Sequence, residues 1–241
     1  MMSDKKLAVI KAGDTFTEIV DTQGDFEDWI IQGLGVESDL CLVVNAEKKE
    51  TLPDPDSIAG AVISGSHAMV TESLDWSLAL ESWTRKMVKA EVPLLGICYG
   101  HQILAKAMGG VVDFHPKGAE VGTTEITRLP EGENDALFGI IPDTFWGHVV
   151  HSQSVIELPE KAILLAENEF EPHHGFRIGK AAWGVQFHPE FDCAATREYI
   201  RFMAEKVKQQ GQDPEDLVNK VEATPWSAAL LKEFATLVFG K

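Results

Sequence analysis

The chain has little cysteine, three residues in 241, and these lie far apart at Cys41, Cys98 and Cys193. An odd number of widely separated cysteines argues against a disulfide framework and against a zinc site built from cysteines. Long hydrophobic runs are also lacking. The apolar run nearest the N-terminus, LAVI, is too short for the core of a signal peptide or for a membrane span. Together these absences predict a protein of the cytoplasm, which is a reducing compartment.

Positive charge is also scarce. Lysine and arginine number 21 against 38 acidic residues, which gives a formal net charge of −17. Such a surface repels phosphate groups, so binding to nucleic acid or to an anionic membrane through a basic patch is not expected. The sequence contains no G-x-x-x-x-G-K-[ST] and no S-G-G-x-D-type phosphate loop, and therefore no recognisable ATP site. Small molecules and protein partners remain as ligands.

What the chain does contain is a series of short runs that are apolar throughout, as in parallel strands that are covered on both faces. The runs are KLAVI (6–10), CLVV (41–44), AVIS (61–64) and PLLGIC (93–98). Between the last two, residues 75–90 carry Trp76, Leu80, Trp83 and Met87 at helical spacing. This alternation predicts an α/β fold with a doubly wound, mainly parallel central sheet flanked by helices.

From residue 111 to residue 187 the pattern changes to short runs separated by proline, glycine and asparagine turns, which predicts a smaller antiparallel portion. The runs are TTEITRL, FWGHVV, AILLAE and AAWGVQF. Helices follow: one face is formed by Ala195, Tyr199, Phe202, Met203 and Val207, and Asp213-Pro214 and Thr224-Pro225 start two more. We expect one domain over residues 1–210, with residues 211–241 as its helical C-terminal appendage.

The stretch GICYGHQ places Cys98 where a strand should end and a helix should begin. At such a turn the side chain is exposed at the carboxyl end of the strand, and glycines two residues before and after let the neighbouring chain pass closely. The N–H groups of the following helix favour a thiolate. From this motif alone, Cys98 is equally well explained as a nucleophile or as a small buried residue.

A second motif, GVQFHPE, lies ninety positions further along the chain. Pro189 stops the strand with His188 at its tip, and Glu190, two residues on in extended chain, falls on the same side. A carboxylate there can hold one ring nitrogen and leave the other to face a nucleophile. Alone, His188 is better explained as a structural histidine; together with Cys98 it predicts a Cys-His-Glu triad.

The two motifs and their separation resemble the class I glutamine amidotransferases, the domain that releases ammonia from glutamine in GMP synthase, anthranilate synthase and carbamoyl phosphate synthetase. The resemblance covers roughly residues 7–191. It implies a flavodoxin-like fold, a nucleophile at Cys98, a general base and acid at His188 and an orienting carboxylate at Glu190. It requires no metal and no organic cofactor.

Two further segments resemble the family more loosely. The segment ISGSH implies oxyanion N–H groups at Gly65 or Ser66, beside that of Tyr99, although His67 replaces the family's proline. The segment HSQSV resembles the one that holds the α-amino and α-carboxylate groups of glutamine. The substrate-binding residues that the resemblance implies are Gln102, Ser66, Ser152 and Gln153.

Three functions remain open from the sequence. The first is a stand-alone amidotransferase-like enzyme that hydrolyses glutamine, alone or for a separate synthase partner. The second is a γ-glutamyl peptidase or hydrolase that uses the same triad. The third, a non-catalytic interaction or regulatory protein, is disfavoured by the intact triad. We expect the segments 67–72 and 173–177 to decide between the first two, and we expect the pair His173-His174 to form a surface loop rather than a metal site.

Overall fold

The computed structural model describes residues 5–240. Outside the described residues lie residues 1–4, at the start of the predicted domain 1–210, and Lys241, at the end of the predicted appendage 211–241. The described chain forms strands and helices in alternation. The strands are β1 (Leu7–Lys11), β2 (Cys41–Asn45), β3 (Gly60–Ile63), β4 (Leu94–Ile97), β5 (Val111–Phe114), β6 (Glu120–Arg128), β7 (Thr144–His151), β8 (Gln153–Glu157), β9 (Ala162–Glu167), β10 (Gly175–Ile178) and β11 (Ala182–Val185). The helices are α1 (Thr17–Gln23), α2 (Phe26–Leu34), α3 (Asp75–Lys89), α4 (Tyr99–Ala107), α5 (Cys193–Phe202), α6 (Ala204–Gln209), α7 (Pro214–Asn219) and α8 (Pro225–Phe239).

A nine-stranded sheet runs through the molecule in the order β2-β1-β3-β4-β11-β10-β9-β6-β7, and β5 pairs with β8 in a separate two-stranded sheet. The strands from β2 to β11 in this order are parallel, and those from β11 to β7 are antiparallel. The predicted fold class is confirmed. The antiparallel portion is an extension of the same sheet, and β11 joins the two halves.

The buried strands have apolar side chains on both faces because helices cover both sides of the sheet. Val9 and Leu95 belong to a core that α2 and α8 close, whereas Ile10 and Leu94 face a second core under α3 and α4. The helical stripe of α3, with Trp83 among its members, is buried as predicted. Parallel strands covered in this way place their carboxyl ends along one edge, where the following turns meet.

Two details differ from the predictions. The segment CLVV was expected to be fully buried, but β2 is an edge strand, so Leu42 and Val43 are exposed. The single helix expected from Ala195 to Val207 is divided at Met203 into α5 and α6. In the part of the chain that the structure describes, no helix has both the length and the apolar content needed to cross a membrane.

The C-terminal helix α8 packs into the first core rather than lying on the surface. Leu230, Leu231 and Phe234 are fully buried against residues of α2 such as Ile30 and Leu34. Proline begins both α7 and α8, as predicted, and Asp213 caps α7 by accepting a hydrogen bond from the amide of Glu215 at 3.0 Å.

Candidate active site

Cys98 lies at the sharp turn between β4 and α4. Its backbone has φ 50° and ψ −97°, a positive-φ conformation that residues with a side chain rarely adopt. Its amide donates to the carbonyl oxygen of Val185 on β11 at 2.8 Å, so the sheet holds the turn in place. The thiol therefore stands at the carboxyl end of β4, where the first N–H groups of α4 stabilise negative charge.

The glycines on either side of Cys98 are required by close backbone contacts. A Cβ atom at Gly96 would lie 2.4 Å from the carbonyl carbon and oxygen of Gly100, and one at Gly100 would lie 2.6 Å from the carbonyl oxygen of Ile63. Real Cβ atoms do not approach backbone this closely. The prediction that glycines permit close passage at this turn is confirmed.

His188 and Glu190 form a buried pair beyond the end of β11. The ring Nδ1 of His188 lies 2.7 Å from Oε1 of Glu190, and the two side chains are 4% and 0% exposed. The backbone here is a turn, in which the amide of Phe191 donates to the carbonyl of His188 at 3.4 Å, rather than the extended chain that the sequence indicated. The turn brings the two side chains together, and the amide of His188 is anchored on the carbonyl of His148 at 2.8 Å.

The charges around His188 favour its protonated form. Burial alone would lower the pKa of His188, but the negative charge of Glu190, followed by interaction with Cys98, raises it to about 10. The ring is also stacked on Phe191, with centroids 4.1 Å apart. The thiol of Cys98 is thus close enough to interact with the imidazole, and its Sγ lies 3.8 Å from the carbonyl oxygen of Val150.

Tyr99 directly follows Cys98, and Gly65 lies in a loop close to His188. A Cβ at Gly65 would be 3.0 Å from Cε1 of His188, so this loop passes directly beside the imidazole. Tyr99 is the first residue of α4, where an N–H group has no acceptor within the helix. Its hydroxyl is hydrogen-bonded to Oγ of Ser77 at 2.6 Å, and burial raises its pKa to about 12. The backbone N–H, rather than the phenol, is therefore the group that Tyr99 can offer beside Cys98.

A cavity of about 310 Å³ opens at Cys98. All four residues predicted to bind substrate line it together with Cys98 and Tyr99, whereas Gly65, His188 and Glu190 are not part of its lining. The four are Gln102, Ser66, Ser152 and Gln153.

Several of these side chains hold the pocket wall together. The amide nitrogen of Gln102 donates to the carbonyl oxygen of Gln153 at 2.8 Å and to Oε1 of Gln186 at 3.0 Å. The amide nitrogen of Gln153 donates to Thr71 at 2.6 Å, and its Oε1 is buried with no hydrogen-bond partner among the described residues. Gln102 therefore links helix α4 to Gln153, the residue after Ser152. The hydroxyl oxygen of Ser66 accepts a hydrogen bond from the amide of Ala68 in the same loop.

Part of the cavity lining was not predicted from the sequence. Three further lining residues are Tyr199 of α5, Met203 at the break between α5 and α6, and Lys206 of α6. Their spacing of four and three residues places them on one helical face, which is a signal present in the sequence. The pattern assigns Tyr199 and Met203 only to the apolar face of a helix, because apolar spacing does not distinguish a core from a pocket.

The cavity also has an aromatic wall, formed by Phe16, His67 and Tyr199. The ring centroids of Phe16 and His67 are 4.4 Å apart. Phe16 is also stacked on Phe202, with a centroid distance of 4.2 Å. His67 Nε2 is 3.3 Å from the hydroxyl of Tyr199. Of the two segments expected to shape the cavity, 67–72 contributes lining residues and 173–177 does not.

His174 is fully buried, so the expectation of a surface loop is wrong at this residue. Its Nε2 lies 3.4 Å from Oε2 of Glu120, which is also 3.0 Å from Nε2 of His151. Although burial opposes ionisation, the two histidines hold the pKa of Glu120 far below its usual range. Polar composition indicated an exposed loop, but His174 faces the buried carboxylate of Glu120 instead of solvent. Among residues 5–240, no three His, Cys, Asp or Glu side chains are arranged to hold a metal ion.

Comparisons with known proteins identify relatives that match most of the chain. The family model "Glutamine amidotransferase class-I" matches residues 18–206. Gamma-glutamyl peptidase 5 of Arabidopsis thaliana is 32% identical over 226 residues, which cover 92% of this chain and 84% of the relative. A glutamine-hydrolyzing GMP synthase subunit of Archaeoglobus fulgidus is 36% identical over 161 residues, covering 66% of this chain and 79% of the relative.

Solved structures agree on the fold. A glutamine amidotransferase from Thermotoga maritima superposes with a TM-score of 0.77 at 22% identity, over 98% of this chain and 99% of the other. At that identity the likeness concerns the arrangement of strands and helices.

Proposed function

The chain belongs to the class I glutamine amidotransferase family, and on that premise we propose that it hydrolyses γ-glutamyl amide bonds, with Cys98 as nucleophile, His188 as base and acid and Glu190 as the orienting carboxylate. The observation that carries the proposal is the thiol at a strained strand-to-helix turn, beside a buried imidazole whose far nitrogen is held by a carboxylate at 2.7 Å. Nucleophile, base and orienting group are the three parts that such catalysis needs.

In the proposed reaction, the sulfur of Cys98 attacks the γ-carbonyl carbon, and the carbonyl π electrons move to oxygen. The N–H groups of Gly65 and Tyr99 donate to that oxygen, and each such donor is worth about 3 kcal/mol in the transition state. The C–N bond then breaks as His188 gives a proton to the departing nitrogen. Water attacks the resulting thioester and loses a proton to His188, which releases glutamate and restores the thiolate.

A γ-glutamyl peptide, with an apolar or aromatic residue after the γ-glutamyl group, is the substrate that the pocket favours. His188 protonates the leaving nitrogen, so the leaving group lies on the side of His188. The aromatic wall is on that side, because Phe191 stacks on His188 at 4.1 Å and contacts Tyr199 at 4.8 Å. Ammonia would need no such wall. The relative that matches 92% of the chain is a peptidase by name.

A second candidate is glutamine hydrolysis that supplies ammonia to a separate synthase partner. The observation that favours it is the match to the GMP synthase subunit of Archaeoglobus fulgidus, which covers most of that relative. In this case the acceptor would be activated on the partner, since the chain has no recognisable ATP motif.

The test is glutamate release from a panel of glutamine and γ-glutamyl dipeptides, measured with the wild-type chain, with Cys98→Ala and with Cys193→Ala as a matched thiol control. We expect γ-glutamyl dipeptides with apolar residues to exceed glutamine by roughly tenfold or more in kcat/KM. Cys98→Ala should abolish release and Cys193→Ala should retain it. Turnover of glutamine without turnover of the dipeptides would refute the peptidase and favour the second candidate. Turnover of neither substrate, or full activity in Cys98→Ala, would refute the proposal.

A further inference from the structure

Lys206 is a cation that lines the catalytic cavity. Its Nζ donates to Oγ of Ser152 at 2.5 Å, and both residues line the cavity. Within residues 5–240, no carboxylate oxygen lies within 4.0 Å of Nζ of Lys206, whereas Lys208, two residues on, pairs with Glu205.

The absence of a carboxylate partner for Lys206 among the described residues is informative because acidic residues outnumber basic residues in this protein. With 38 acidic and 21 basic residues, a half-buried lysine has many potential counter-ions. An ammonium group has three N–H donors, and the hydroxyl of Ser152 accepts from one of them. The remaining donors can be given to an anionic ligand in the cavity, where the charge is less screened than on an open surface.

The position of Lys206 relative to Cys98 indicates which anion this is. Gln102 lies one helical turn after Cys98, about 6 Å along α4, and holds the carbonyl of Gln153, the neighbour of Ser152. When the reacting carbon of a ligand lies at Cys98, Lys206 is therefore several ångströms from that carbon. In a γ-glutamyl group, three carbons separate the reacting carbonyl carbon from the α-carboxylate. A lysine attracts that group and repels the α-ammonium.

We propose that Lys206 binds the α-carboxylate of the γ-glutamyl substrate and so selects for it. This inference rests on the proposed function, because it takes the γ-glutamyl amide as the ligand. It adds a specificity-determining residue on α6, outside the strand-end loops that supply the triad. The alternative is a structural role, in which Lys206 only ties α6 to Ser152.

The two roles are separated by pairs of substrates that differ in one carboxylate. Wild type, Lys206→Met and the control Lys208→Met are assayed on γ-glutamyl-p-nitroanilide and on 4-aminobutyryl-p-nitroanilide, which lacks the α-carboxylate. We expect Lys206→Met to lose roughly 10- to 100-fold in kcat/KM on the first compound and less than about threefold on the second. Lys208→Met should change neither. Equal losses on both compounds would show a structural role and overturn the inference.

A binding measurement makes the inference independent of turnover. Calorimetry on Cys98→Ala protein compares L-glutamate with 4-aminobutyrate, with and without Lys206→Met. We expect glutamate to bind more tightly, and this advantage to disappear in the Lys206→Met background. If that result holds while no γ-glutamyl amide is hydrolysed, Lys206 stands as the carboxylate site and the proposed function fails. If glutamate does not bind, or binds equally in both backgrounds, the inference about Lys206 fails.

Discussion

Replacement of Glu190 by glutamine removes one charge from the buried pair while keeping its shape. The two side chains are 4% and 0% exposed and their closest atoms are 2.7 Å apart. Unit charges whose centres are about 4 Å apart interact by about 4 kcal/mol at an effective dielectric constant of about 20. Burial opposes the protonation of His188, and the charge of Glu190 is the largest influence that overcomes it and raises the pKa to about 10. In Glu190→Gln we therefore expect the titration midpoint of His188 to fall by roughly three pH units.

In the proposed mechanism the same change should reduce catalysis, because the imidazolium formed in that reaction loses its counter-charge and the ring loses its fixed orientation. We expect kcat to fall by roughly 10²- to 10⁴-fold. The assays are initial rates of glutamate release and an NMR titration of the His188 Cε1 proton. Glu198→Gln, which removes a partly exposed carboxylate that pairs with Arg201 on α5, is the control and should change neither.

The raised pKa also fixes the direction of a stability effect. His188 binds its proton more tightly in the folded than in the unfolded chain, so its contribution is complete below about pH 6.5 and is lost as the pH rises towards 10. The free energy of unfolding, measured by urea denaturation, should therefore fall more steeply over this range in wild type than in Glu190→Gln. An unchanged His188 midpoint in the variant, or parallel stability curves, would refute the reasoning about this pair.

Three other predictions concern the turn and the cavity. An electrophilic glutamine analogue should add once, at Cys98, as seen by peptide mass spectrometry; an adduct at Cys193 instead would contradict the assignment. Gly96→Ala should lower the melting temperature by about 6–10 °C and remove activity, because its Cβ would lie 2.4 Å from backbone, whereas exposed Gly139→Ala, with its nearest contact at 3.3 Å, should do neither. Phe16→Ala should raise KM for γ-glutamyl dipeptides with aromatic residues by roughly tenfold and leave glutamine unaffected; equal effects on both would exclude Phe16 from leaving-group binding.

The parallel half of the fold was predictable because its strands are buried on both faces. β3 and β4 are apolar throughout for that reason, and their ends could be placed within one residue. The same reasoning failed for Leu42 and Val43, since apolar composition does not tell a central strand from an edge strand. Position within the sheet depends on which strands pair, and that information is not local.

The candidate site likewise contains residues that the local sequence predicts and residues that depend on long-range packing. Cys98 and its glycines could be recognised because the turn imposes its own local requirements on the sequence. Lys206 and the aromatic wall could not, because their place in the cavity depends on how α5 and α6 pack against segments that are distant in the chain. The burial of His174 could not be predicted either, because its partner Glu120 lies on a distant strand.

The parallel pairing of β4 with β11 also has a consequence for how the chain would acquire the proposed activity during folding. Gly96 lies opposite Gly184 in this pair, and every antiparallel strand from β5 to β10 lies between them in the sequence. Joining them closes a very long loop, which is a slow event in folding, and a slip of one residue would turn the side chains of β11 to the wrong face. Recovery of hydrolysis after dilution from denaturant should therefore lag behind the recovery of helical signal. The rate at which hydrolysis recovers would then report the rate of the last long-range step of folding, the pairing of β4 with β11.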